Sequence, residues 1–120
     1  MDILVVDDEP AVVAFVERVL KLSGSRTMGT ADSEHALRIA DGQMFDLLVT
    51  DVVMPMLSGP QLAREVRAKH PDVRVLYFTG DSRRLFDAIP ELLASEAFLD
   101  KPGGVKELLD AVSSLASRCC

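Results

Sequence analysis

A chain of 120 residues, 48% hydrophobic and 27% charged, suits one compact domain that buries a core without disulfides or a structural metal. Its 19 Asp plus Glu against 13 Lys plus Arg give a net charge of −6, which disfavours nucleic acid and anionic membranes as partners, since both want a basic face. No apolar run approaches the roughly 20 residues of a bilayer span.

The first predicted strand, Ile3–Val6, is a continuous apolar run of the kind a sheet buries on both faces. It starts too early to leave room for a signal peptide. Asp7, Asp8 and Glu9 follow directly, three adjacent acids that repel one another and call for a cation. A helix comes next, with Val12, Phe15, Val16, Val19 and Leu20 on one face and Gly24 as its stop. Arg26–Thr30 reads as the second strand. The second helix starts from Asp32 or Ser33, turns Ala36, Leu37 and Ala40 inward and ends near Gly42. Leu47–Thr50 is the third strand and delivers Asp51. The third helix opens on Gly59-Pro60 and stops before Pro71.

Val73–Thr79 forms the fourth strand. The segment S-R-R-L-F-D-A-I-P-E-L-L-A-S predicts only a short helix, because Pro90 lacks an amide proton and breaks or kinks it. Ala97–Leu99 is the fifth strand, with Lys101-Pro102 close behind. The last helix shows Val105, Leu108, Leu109 and Val112 on one face. Cys119 and Cys120 are neighbours that cannot staple the fold, so a reducing cytoplasm is expected. The pair reads as two exposed thiols without function rather than a lipidation site.

Five βα units with short connections predict an α/β fold, a parallel sheet with helices on both faces, in one domain spanning 1–120. Ligands of doubly wound sheets sit at the carboxyl ends of the strands. In the flavodoxin-like order 2-1-3-4-5, strands one and three are neighbours, so Asp7, Asp8 and Asp51 converge. Hard oxygen donors in a cluster that is unfavourable without a cation describe a Mg²⁺ site. The alternative, that these acids only cap helices, suits one junction better than two adjacent ones. Thr79 and Lys101 reach the same edge from strands four and five. Acid, metal, hydroxyl and ammonium on one rim suit a phosphoryl group.

The motifs V-V-D-D, D-V-V-M-P followed by Gly59, T-G and K-P occur in this order along the whole chain. In them the sequence resembles a response-regulator receiver domain of two-component signalling. The resemblance implies that Asp51 accepts phosphate from a phosphohistidine on a sensor histidine kinase or a histidine phosphotransfer protein. It implies that Asp8 binds Mg²⁺ directly, Asp7 acts through a water, and Val53 lends its backbone carbonyl. Lys101 and Thr79 would hold phosphate oxygens, and Phe98 would be the switch aromatic, core packing being its alternative. A downstream protein would meet the surface of the fourth helix, fifth strand and last helix.

There are departures. Gly80 follows the threonine, and Gly103-Gly104 stand where an aromatic is usual, which loosens that surface. Lys-Pro is typically cis in such domains. Val53 is expected to shield an acyl phosphate from water, and Asp81 to repel phosphate or orient a water. His35 and His70 are expected at the surface away from the strand ends, and Met54 and Met56 in packing and loop geometry. Three rivals fit less well. A haloacid-dehalogenase-type phosphatase wants Asp-x-Asp after the first strand, and an FMN carrier wants an uncharged phosphate loop there. A receiver-like module that no longer accepts phosphate would lack an acid or the lysine. The remaining choice is between a stand-alone receiver and the C-terminal receiver of a hybrid histidine kinase.

Overall fold

The computed structural model describes all residues except 90, 102 and 118–120. The expectations for Pro90, for the Lys101-Pro102 bond and for Cys119 and Cys120 lie outside the described residues. Five strands alternate with five helices: β1 (Asp2–Val6), α1 (Pro10–Leu22), β2 (Arg26–Thr30), α2 (Ser33–Gly42), β3 (Leu47–Thr50), α3 (Gly59–Lys69), β4 (Arg74–Thr79), α4 (Ser82–Ala88), β5 (Glu96–Asp100) and α5 (Val105–Ser117). They form one parallel sheet in the order β2-β1-β3-β4-β5, as the flavodoxin-like reading predicts. Among the described residues no helix is long and apolar enough to cross a membrane.

The continuous apolar runs serve two cores at once, because alternate strand residues face opposite sides. Leu4, Val6, Leu48, Val75 and Tyr77 pack with Ala36, Ala40, Leu62, Ala63 and Val66 of α2 and α3. Ile3, Val5, Leu47, Val49, Leu76 and Phe78 pack with α1 and α5 on the other face. Local signals set the helix ends. Asp32 caps α2 by accepting from the amides of Glu34 and His35. Ser58 and Gln61 form a reciprocal capping box at α3. Gly24, at φ 97°, follows the end of α1.

Two helix faces differ from the periodicity. In α1, Val13 is buried and Phe15 is left 38% exposed. The reason is Gly29 on β2: a Cβ there would come within 2.5 Å of Val13 Cγ1, so α1 turns Val13 into the space the glycine leaves. In α5, Val105 at the first position is half exposed, and the buried stripe is Leu108, Val112 and Leu115.

The surface placement of His70 is also corrected. It is buried at the C-cap of α3, where its Nε2 donates to the carbonyl of Ala40 at 2.7 Å and ties α3 to α2. The terminal carbonyls of α2 need donors, and an imidazole on the neighbouring helix supplies one. His35 is exposed, but its Nδ1 lies 2.9 Å from Thr30 Oγ1, against the carboxyl end of β2 rather than away from it. A buried carboxylate opens β5: Glu96 is bound by Arg67 at 2.6 Å and by the Tyr77 hydroxyl at 3.2 Å. Burial first, and then the charge of Glu96, push the Tyr77 phenol well above its usual range.

Candidate functional site

Register delivers the acids. Val6 of β1 lies opposite Thr50 of β3, so the next residues, Asp7 and Asp51, leave the sheet side by side. The amide of Asp51 still donates to Val6 O at 3.1 Å, which fixes its height above the strand. On the other side, Thr79 of β4 pairs with Asp100 of β5, and Lys101 N donates to Thr79 O at 2.7 Å. Four strand ends therefore place side chains on one rim.

Asp7, Asp8 and Asp51 each offer a carboxylate oxygen within 4.8 Å of the others; Asp7 and Asp51 are buried and Asp8 is exposed. Lys101 reaches into this group, its Nζ lying 2.7 Å from Asp7 Oδ2 and 3.5 Å from Asp51 Oδ2. Its ammonium also lies 5.7 Å from the centroid of the Phe78 ring. The other oxygens of Asp7 and Asp51 are held by backbone. Asp7 Oδ1 accepts from Glu9 N at 2.9 Å, and Asp51 Oδ1 from Val52 N at 2.7 Å.

Burial raises the pKa of Asp51 and the charge of Asp7 adds to the rise, while the Val52 amide and Lys101 pull it back only in part. For Lys101, burial works against the charge, but the hydrogen bond and attraction of Asp7, with those of Asp51, outweigh it and hold the ammonium above its ordinary value. Among the described residues, the Lys101 ammonium pairs with Asp7 and Asp51, two of the three clustered acids. The residual negative charge and the hard oxygen donors fit a small divalent cation.

Gly59, which follows the D-V-V-M-P motif, has a steric cause. A Cβ there would lie 2.1 Å from the carbonyl oxygen of Asp51, while Gly59 N donates to Val52 O at 2.8 Å. Only glycine lets α3 begin against the backbone of the acidic residue.

Other expected residues sit at different distances from the chemistry. Thr79 is buried, and its Oγ1 accepts from Asp81 N at 3.0 Å, so in this state the hydroxyl is bound to its own loop. Val53 is half exposed beside the acids in sequence. Phe98 is 38% exposed rather than a core aromatic, packed edge-on against Phe86 with centroids 5.3 Å apart. Asp81 is engaged as the N-cap of α4, its carboxylate accepting from the amides of Arg83 and Arg84. Gly103 is not an open gap: a Cβ there would approach Leu99 to 2.9 Å and Phe78 to 3.1 Å. Met54 packs against the α2–α3 core, while Met56 is 73% exposed.

Sequence reasoning missed Ser33. It appears there only as a helix start, yet it is buried and bonds to the loop between β3 and α3. Nothing local could have shown this contact across 22 residues.

A family model described as the response regulator receiver domain matches residues 3–113. The sensor kinase CckA of Brucella abortus is 34% identical over 118 residues, covering 97% of this chain and 12% of that protein. The chain spans about half or less of the length of the first curated relatives it matches. Among solved structures, the receiver domain of the hybrid histidine kinase CckA superposes with a TM-score of 0.80 at 33% identity, covering 96% of this chain and 99% of that one. The response regulator TrrA of Thermotoga maritima, solved in complex with Mg²⁺-BeF, gives a TM-score of 0.80 at 28% identity over 95% of this chain and 97% of that one.

Proposed function

The chain belongs to the response regulator receiver domain family, phosphoacceptor modules of two-component signalling, and we propose that Asp51 is its acceptor. The observation that carries this is the position of Lys101, within 2.7 Å of Asp7 and 3.5 Å of Asp51, beside three acids from two adjacent strand ends. An Asp51 oxygen attacks the phosphorus of a phosphohistidine. The new O–P bond forms as the N–P bond breaks, and the imidazole nitrogen leaves with the electron pair and takes up a proton.

Asp7, Asp8, Asp51 and the backbone carbonyl of Val53 would hold Mg²⁺. The ion would supply neutralisation of charge on the transferring oxygens. Lys101 moves from Asp7 to a phosphoryl oxygen, and its ammonium is fully charged for that task at neutral pH. The Thr79 hydroxyl turns from the Asp81 amide to a second oxygen, which frees the space behind it for the Phe98 ring. The exposed Phe86–Phe98 pair supports a downstream protein docking on the surface of α4, β5 and α5.

The donor is a sensor histidine kinase or a histidine phosphotransfer protein. The likeness to the receiver of a hybrid kinase supports a phosphorelay. The usual setting of the family supports a site of action in the cytoplasm. Residues 1–120 act as one unit that modifies only itself, without turnover of an external substrate. Val53, half exposed, shields the acyl phosphate and slows its hydrolysis. Slower phosphate loss from Val53→Asn than from wild type would contradict that role.

The acceptor is tested by intact mass after incubation with Mg²⁺ and a small phosphodonor. Wild type gains one phosphate and Asp51→Asn gains none; equal adducts on both would overturn Asp51.

A further inference from the structure

Between β3 and α3 the backbone makes a turn that few side chains accept. Met56 has φ 71°, and among the described residues no other non-glycine residue lies in that region. Leu57 N donates to Pro55 O at 2.9 Å, two residues back, so Met56 is the corner of a γ-turn with positive φ, the strained form. The Met56 side chain is 73% exposed and belongs to neither core, so packing does not hold it. A strained corner persists only where its surroundings over-determine it.

One side chain does so. Ser33, the first residue of α2 and 3% exposed, donates from Oγ to Pro55 O at 3.0 Å and accepts from Leu57 N at 3.2 Å. The same hydroxyl grips both arms of the turn, one residue either side of Met56. The other end of the loop is closed where Gly59 N meets Val52 O at 2.8 Å, and Val52 N in turn donates to Asp51 Oδ1 at 2.7 Å. The stretch between these two fastenings is Val53 and Met54.

We propose that Ser33 is a positioning residue for the acid site: its hydroxyl clamps the Pro55–Leu57 turn and so fixes the backbone of Val53. This rests on the reading of Asp7, Asp8, Asp51 and the Val53 carbonyl as a Mg²⁺ site, and acts through the loop without touching metal or phosphate. Without the hydroxyl, Met56 relaxes to negative φ and Val53 loses its fixed direction. Glycine at position 56 accepts φ 71° without strain, so Met56→Gly removes the need for the clamp.

The experiment is calorimetric Mg²⁺ titration of wild type, Ser33→Ala, Met56→Gly and the double variant, with amide exchange at Leu57 in metal-free protein. Ser33→Ala should bind Mg²⁺ about fivefold more weakly, as expected for one lost hydrogen bond, and Leu57 should exchange faster. Phosphorylation should need more Mg²⁺ yet reach the wild-type rate at saturation. In the Met56→Gly background the loss should shrink, giving a measurable coupling between the two positions. Ser33→Cys, nearly isosteric and a weak hydrogen bonder, repeats the test without emptying space.

Unchanged affinity and unchanged Leu57 exchange in Ser33→Ala, with wild type binding Mg²⁺, would strike the role of Ser33 alone. A loss of equal size in both backgrounds would overturn the clamp. No Mg²⁺ uptake by wild type would overturn the metal site and the clamp together.

Discussion

At Asp51 the fold holds a carboxylate where burial and Asp7 both favour its protonated form. A carboxyl whose pKa is raised on folding binds protons more tightly in the native state. The native state then loses stability as pH rises above the ordinary value of 3.8 through the raised one, and the deficit persists at neutral pH. Asp51→Asn removes that deficit while Lys101 keeps its bond to Asp7. Metal-free Asp51→Asn should therefore melt at a higher temperature than wild type at pH 7, and saturating Mg²⁺ should narrow the gap. A variant that melts lower in chelator would contradict this. Gly59→Ala tests a steric constraint instead. Its Cβ would collide with the Asp51 carbonyl, and a denaturant titration should show a loss of more than about 2 kcal/mol. The acids and Lys101 were legible because each follows an apolar strand. Ser33 was not, since its partners are brought near only by tertiary structure. At Asp81 the structure adds the cap of α4, a role that the sequence reading did not assign to it.

Among the elements, the inner strands were easy to read, because a parallel sheet buried on both faces needs uninterrupted apolar runs. Leu47–Thr50 falls where its composition predicts, the edge strand Arg26–Thr30 stands at its expected bounds without such a run, and β5 extends one residue beyond Ala97–Leu99 at each end. Helix phase was harder. Val12 and Val13 both extend the stripe of α1, and periodicity alone does not choose between neighbours. Gly29 chooses, by making room for Val13 and leaving Phe15 half in water. Val13→Ala should then cost about 2 kcal/mol in denaturant unfolding, while Phe15→Lys should cost less than about 1 kcal/mol. The reverse ranking would place the stripe where periodicity alone puts it. His70 was placed at the surface for a related reason. It stands where the helix pattern stops, and the carbonyl it satisfies belongs to a different helix.

Across the whole molecule, the rim of acids is a local concentration of charge in a chain that is already net negative at −6. A cation bound only by the folded protein stabilises it by mass action, by about 2.7 kcal/mol at a hundredfold excess over Kd. Thermal melts in Mg²⁺ should rise accordingly for wild type and stay near the metal-free value for Asp8→Asn, which removes a charge without opening the core. An equal rise for both would place the ion elsewhere. The proposal that these acids, joined by a divalent ion, make Asp51 reactive toward phosphate is settled by tandem mass spectrometry of wild-type protein treated with a small phosphodonor, once with Mg²⁺ and once with a chelator. One phosphate on Asp51 with Mg²⁺ and none with chelator is the predicted result; modification that is independent of the metal, or found on another residue, would contradict it.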